Sequence, residues 1–113
     1  MKTITLITNS DILNLEDTIK LSKKLSRIGL DRIQIREKNI PKNKLRNFIK
    51  KMKDSTDETC KLILNGNFDL AVEYNLNGVH FPEKYPITKK FSTKNLIIGR
   101  SIHKNTNLTI DHN

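Results

Sequence analysis

The chain has 113 residues and a formal net charge of +9, with 35% hydrophobic and 29% charged residues. That length holds one domain with one modest core, and the balance of residue types is that of a folded chain rather than a disordered one. No apolar run approaches the roughly 18 to 20 residues of a membrane helix, and the start MKTITLITNSDILN lacks the apolar centre and small-residue cleavage site of a secretory signal, so the expected address is cytoplasmic, with no membrane partner.

In chain order, TITLIT at 3–8 is β-branched and apolar and predicts a strand. Ser10 or Asp11 is placed to cap a helix over about 12–28, where Ile12, Leu15, Ile19, Leu21, Leu25 and Ile28 form a broad stripe near helical spacing. Gly29 supplies its stop. RIQIREK, residues 32–38, reads as a second strand. Strict alternation puts Ile33, Ile35 and Glu37 on one face and Arg32, Gln34, Arg36 and Lys38 on the other.

Pro41 suits the first turn of a second helix, in which Leu45, Phe48, Ile49 and Met52 recur at i, i+3, i+4 and i+7. Its other face carries Lys42, Lys44, Arg46, Lys50, Lys51 and Lys53. Those cations account for much of the positive charge and read as a solvated helix face, so the nucleic-acid partner that a basic chain suggests is discounted. Cys60 is the single cysteine. It excludes an internal disulfide or thiolate cluster and reads as a small buried filler before the next strand.

KLILN at 61–65 is a third strand, FDLAVEYN a short helix, GVHF at 78–81 a fourth strand and LIIGRSI at 96–102 a fifth. KYPITKKFSTK between the last two reads as a loop or short helix. Strands alternating with helices at intervals of 20 to 30 residues argue for βαβ units and a parallel sheet. The closing KNTNLTIDHN offers no apolar segment long enough to finish the layer.

Each strand delivers polar residues at its carboxyl end, where parallel α/β folds collect ligand groups. Arg36 and Lys38 come first, then Asn65 and Gly66, then His80 and Glu83, then Ser101 and His103. If the isoleucine face of RIQIREK packs on helices, Gln34, Arg36 and Lys38 face the sheet interior, where unpaired cations cost several kcal/mol and require an anion. A phosphorylated small molecule would satisfy both cations. Pairing of Arg36 with Glu37 or Asp69 is the competing reading. His103 is the side chain suited to proton transfer near neutrality, with Ser101 two residues before it, while His80 reads as a core or loop histidine. Asp69 and Glu83 lack a second acidic partner for an oxygen-ligated metal, so no metal site is expected.

RIQIREK, LILNGNFDLAVEYNLNGVHF and LIIGRSIH, in this order and at these intervals, resemble the thiamine phosphate synthase and TenI family. The resemblance spans the chain but corresponds to the amino-terminal half of that family's barrel. It implies a partial TIM (β/α)8 barrel of about five parallel strands, a single domain over 1–113 that is incomplete at its carboxyl end. It also implies a small phosphorylated thiazole or pyrimidine ligand, with Gln34, Arg36 and Lys38 holding the pyrimidine diphosphate of the synthase branch. Asn65 then lines the substrate site and Ser101 contacts pyrophosphate. The synthase pattern places a magnesium-binding aspartate after that asparagine and another beyond Gly-Val-His; here Gly66 and the stretch FPEKYP stand instead. Asn65-Gly66 and Gly99-Arg100-Ser101-x-His103 match the TenI branch, which aromatises a thiazole carboxylate phosphate tautomer with a catalytic histidine, here His103, and no metal. The resemblance therefore implies a thiazole phosphate tautomerase without cofactor. Thiamine phosphate synthesis with Mg²⁺, or a non-catalytic phosphate-ligand-binding or assembly fragment, are the alternatives. A half barrel also implies self-association or a partner that completes it.

Overall fold

A computed structural model describes residues 3–82, 96–101 and 109–112, with the backbone alone for 100, 101 and 109–112. Its elements run β1 (Thr5–Ile7), α1 (Leu15–Arg27), β2 (Arg32–Ile35), α2 (Lys42–Ser55), β3 (Lys61–Asn65), α3 (Phe68–Glu73), β4 (Gly78–Phe81), β5 (Ile97–Ser101) and β6 (Thr109–His112). The six strands form one sheet in chain order. Strands β1 to β5 are parallel, as the alternation of strands and helices requires.

The sixth strand is a correction. KNTNLTIDHN supplies β6, which returns antiparallel to β5 with Gly99 opposite Asp111 and Ser101 opposite Thr109. An antiparallel return needs only a short connection, whereas another parallel strand needs a crossover of a dozen residues or more.

Helix α1 begins later than expected. Asn9, Ser10 and Asp11 belong to a turn in which the carbonyl of Asn9 accepts from the amides of Ile12 and Leu13, each at 3.0 Å. The cap is Asn14, whose Oδ1 accepts from the Asp17 amide at 2.8 Å while its Nδ2 donates to the Asp17 carboxylate at 3.0 Å. Glu16 and Asp17 in the first turn and Lys24 and Arg27 in the last complement the helix dipole. Past the helix, Gly29 takes φ +108°, a left-handed conformation that suits its role as the stop.

The buried line of α1 is Thr18, Ser22 and Ser26 rather than its large apolar residues. These small side chains, at i, i+4 and i+8, let the helix lie close to its neighbours. Leu15 and Ile19 flank that line and pack on the core edge, while Ile12 and Ile28 remain exposed. Ser26 also fastens the next layer, since its Oγ accepts from the Asp57 amide at 3.0 Å and donates to the Lys23 carbonyl at 3.0 Å.

The core lies between the sheet and the helices. Ile33 and Ile35 of β2, Leu62 and Leu64 of β3, and Val79 and Phe81 of β4 all point into it, meeting Phe48, Ile49 and Met52 of α2 and Leu70 and Ala71 of α3. The register explains the sharing, with Ile33 opposite Leu62, Ile35 opposite Leu64, and Leu64 opposite Val79. Every helix therefore sits on one face, as right-handed crossovers that always step in the same direction require. The other face carries the alternate residues of each strand. Arg46 of α2 pairs with Glu73 of α3 across the outer layer.

Cys60 is 3% exposed and belongs to the core, in keeping with its reading as a filler. Burial pushes its thiol above the ordinary value, with smaller contributions from Asp31 and Asp57. Because the raised value belongs to the folded state, the unfolded chain loses the proton first as pH climbs through 9.0, and stability falls from there upward. The expected result is a urea midpoint that drops more steeply with alkaline pH than that of Cys60→Ala. In native protein the thiol should also react slowly with a disulfide reagent until denaturant is added. Fast native labelling would contradict the burial.

Candidate ligand site at the strand ends

The parallel strands β1 to β5 finish on the same side of the sheet, and two polar clusters form there. The first lies on the helix-free face. Gln34 of β2 is half-buried, and its Oε1 accepts a 2.9 Å hydrogen bond from Nδ2 of Asn65 at the end of β3. Asn65 stands opposite the buried His80 of β4, which stands opposite Gly99 of β5. A polar row thus crosses three strands above Ile63, beside a cleft of only about 20 Å³.

His80 is the residue that sequence reasoning undervalued. Its signal was parity: in GVHF, Val79 and Phe81 fill the core, so the histidine between them must take the opposite face with Gln34 and Asn65.

Gly66 follows Asn65 with φ +80°, and its amide donates to the His80 carbonyl at 2.8 Å. A Cβ there would come no closer than 3.8 Å to Pro82, an ordinary contact, so backbone conformation rather than space favours glycine. The magnesium-binding carboxylate that the synthase resemblance implies would stand at this position, and Gly66 offers none. Among the described residues, no three His, Cys, Asp or Glu side chains converge as metal ligands.

The second cluster is the loop after β2 set against the loop after β1. Here the strand reading of RIQIREK needs correcting, because β2 stops at Ile35. The Arg36 amide bonds to the Thr8 side chain at 3.1 Å instead of extending the ladder. Strand alternation no longer applies beyond that point. Arg36 and Lys38 are exposed in the loop rather than turned into the sheet interior, so burial does not force an anion upon them.

Pairing of Arg36 with Glu37 or Asp69 is not observed either. Glu37 folds back to accept the Ser10 amide on Oε1 at 3.0 Å, tying the two loops together, and its buried Oε2 has no hydrogen-bond partner among the described residues. Asn39 donates to Asp11 at 3.1 Å, and Asn9 accepts from the Asp11 amide at 3.0 Å. Among the described residues, no ion pair engages Arg36 or Lys38. Both line a polar hollow of about 70 Å³ together with Asn9, Ser10, Asp11 and Asn39. The loop-tying role of Glu37 was not legible from the sequence, since it arises only where the alternation fails.

The structure therefore brings Gln34 and Asn65 into direct contact and sets Arg36 and Lys38 in the loop immediately beyond them. Ser101 ends β5 in backbone register, and its side chain, like the whole of His103 and Glu83, lies outside the described residues. A larger cavity, about 530 Å³, lies elsewhere: it runs between α1 and α2 over Leu15, Ile19 and Phe48, away from the strand ends.

Comparison with known proteins agrees with this architecture. The family model described as thiamine monophosphate synthase matches residues 4–112. The thiamine-phosphate synthase of Clostridium tetani is 31% identical over 103 residues, covering 88% of this chain and 49% of that protein. A protein named putative thiamine-phosphate synthase 2 in Aquifex aeolicus is 30% identical over 91 residues, covering 78% of this chain and 49% of its own length. Among solved structures, thiamine phosphate pyrophosphorylase from Pyrococcus furiosus superposes with a TM-score of 0.72 at 21% identity, over 93% of this chain and 52% of that one. The chain thus spans about half the length of these relatives. Their names match the synthase alternative better than the tautomerase preferred on sequence grounds.

Proposed function

We propose, starting from the premise that this chain belongs to the thiamine monophosphate synthase family, that it binds a phosphorylated thiazole or pyrimidine at the carboxyl ends of its strands. The observation that carries this reading is the placement of Arg36 and Lys38, exposed and without ion pairs among the described residues, beside the hydrogen-bonded Gln34 and Asn65. Arginine offers a planar fork and lysine a mobile charge, and together they suit a phosphoryl group. Asn65, held by Gln34 on one side, keeps an amide fixed for the ring of the ligand. Phosphate commonly sits in the loops after strands seven and eight of a complete barrel, so these cations would hold one part of a larger ligand.

Two chemistries are open to such a site, and each has its own support. The names of the relatives favour synthesis of thiamine phosphate from a pyrimidine diphosphate and thiazole phosphate. In that reading Arg36 and Lys38 meet the charge of the diphosphate. Gly66, in place of a carboxylate, favours instead a metal-independent tautomerisation in which His103 relocates a proton with help from Ser101.

Parallel assays separate the two. Product formation from both substrates that depends on Mg²⁺ supports the synthase, whereas metal-independent aromatisation of the thiazole that disappears in His103→Ala supports the tautomerase. Calorimetric binding of thiazole phosphate without either turnover would leave a non-catalytic ligand-binding role. Absence of binding to either substrate would sink the reading as a whole.

A further inference from the structure

Two neighbouring connections meet at the carboxyl end of the sheet: residues 8–14 between β1 and α1, and residues 36–41 between β2 and α2. Three hydrogen bonds join them. The buried Thr8 hydroxyl accepts from the Arg36 amide at 3.1 Å, Glu37 Oε1 accepts from the Ser10 amide at 3.0 Å, and the Asp11 carboxylate accepts from Asn39 Nδ2 at 3.1 Å. The first uses only the backbone of residue 36, and the last joins two exposed side chains. The middle one is made by the side chain that stands between the two cations of the candidate site.

Exposure alternates through this triplet. Arg36 and Lys38 are exposed, whereas Glu37 is partly buried, with Oε1 on the Ser10 amide and Oε2 buried as well. The acid is thus drawn inward while its neighbours on either side turn to solvent. A carboxylate released to the outer side would lie beside both cations and compete with a phosphoryl group for them. Hooked on a backbone amide of the neighbouring loop, it leaves Arg36 and Lys38 without an ion pair among the described residues.

Resting on the reading of Arg36 and Lys38 as phosphoryl-binding cations, we propose that Glu37 is the positioning residue of that site. Its bond to the Ser10 amide holds the 36–38 segment so that both cations face the ligand, and it keeps the intervening acid from neutralising them. The loop after β1 thereby becomes part of the site through its backbone.

Glu37→Ala should weaken binding of thiazole phosphate about tenfold, whereas Glu37→Gln, which retains a carbonyl oxygen for the Ser10 amide, should stay within about twofold of the parent. Ser10→Pro removes the donor instead of the acceptor. Ser10 is the second residue of the turn in which the Asn9 carbonyl accepts from the Ile12 amide, a position that proline favours. Its loss should again be about tenfold, and the two substitutions combined should cost no more than either alone. Salt should weaken binding to these variants as steeply as to the parent, because both cations are still present. Hydrogen exchange should show the Ser10 amide protected in the parent and in Glu37→Gln but fast in Glu37→Ala, a readout that needs no ligand.

If Glu37→Ala binds as the parent does while the variant lacking both Arg36 and Lys38 does not, the proposal fails and the phosphoryl reading stands. Equal losses in Glu37→Gln and Glu37→Ala would assign the effect to charge rather than to the hook, and additive losses in the combined variant would mean that Ser10 and Glu37 act apart; either result overturns the proposal. A parent chain that binds no thiazole phosphate would remove the reading and the proposal together.

Discussion

Gly78→Ala is expected to strip the fold of a large part of its stability. A Cβ at this first residue of β4 would stand 2.3 Å from the carbonyl oxygen of Ile97, 2.7 Å from its Cβ and 3.0 Å from Cδ1 of Ile63. The nearest atom is backbone, so no rotamer change relieves the clash. Relief requires β4 and β5 to part just where Gly78 faces Ile97 in register and where the Ile97 amide bonds to the Asn77 carbonyl at 2.9 Å. Overpacking in a filled interior costs about 1 to 3 kcal/mol even where side chains can adjust, and here the cost should reach about 3 kcal/mol or more. Small domains have only about 5 to 15 kcal/mol in total. Urea denaturation followed by circular dichroism should show a midpoint far below that of the parent chain, and an unshifted midpoint would mean that β5 does not sit where it is placed here.

The second large effect concerns ligand rather than fold. Replacing both Arg36 and Lys38 with alanine should weaken thiazole phosphate binding by roughly a hundredfold, since each charged hydrogen bond contributes about 1.5 to 3 kcal/mol and exposure to water keeps these two near the lower end. Stability should barely move, because both side chains are exposed and neither forms an ion pair among the described residues. Raising ionic strength should weaken binding to the parent chain more than to the double variant. Titration calorimetry at two salt concentrations reads both effects. Equal affinity in parent and variant would remove these cations from the site. Gln34→Ala differs in kind, because it strips Asn65 Nδ2 of its acceptor and should weaken binding through loss of orientation.

Much of this architecture was legible because its signals are local and repeated. KLILN and GVHF match β3 and β4 residue for residue, since short β-branched runs between turn residues have few alternatives. The spacing of Phe48, Ile49 and Met52 placed the buried side of α2. Where the reading failed, another interaction took over. Alternation carried RIQIREK three residues too far because nothing local shows that the Thr8 hydroxyl ends the ladder. The cap moved to Asn14 because Asp17 answers it, a reciprocal contact that outweighs the capping propensity of Ser10 or Asp11. TIDH escaped notice because its partner, β5, supplies what its own composition does not.

For the candidate site, residue type was legible and direction was not. Gln34 and Asn65 share a face as parity requires, and parity would have added His80 to their row had it been applied to GVHF. The exposure of Arg36 and Lys38 depends on where β2 stops, which is a property of its neighbours.

The strand order also bears on synthesis. Each of the six described strands pairs with those next to it in the chain, so none of these pairings waits for a segment made much later. A chain emerging from the ribosome can add one βα unit at a time onto a growing template, each addition closing a loop of modest length. Pulse-labelling of nascent chains should find β1 to β3 protected from protease well before β6 is made.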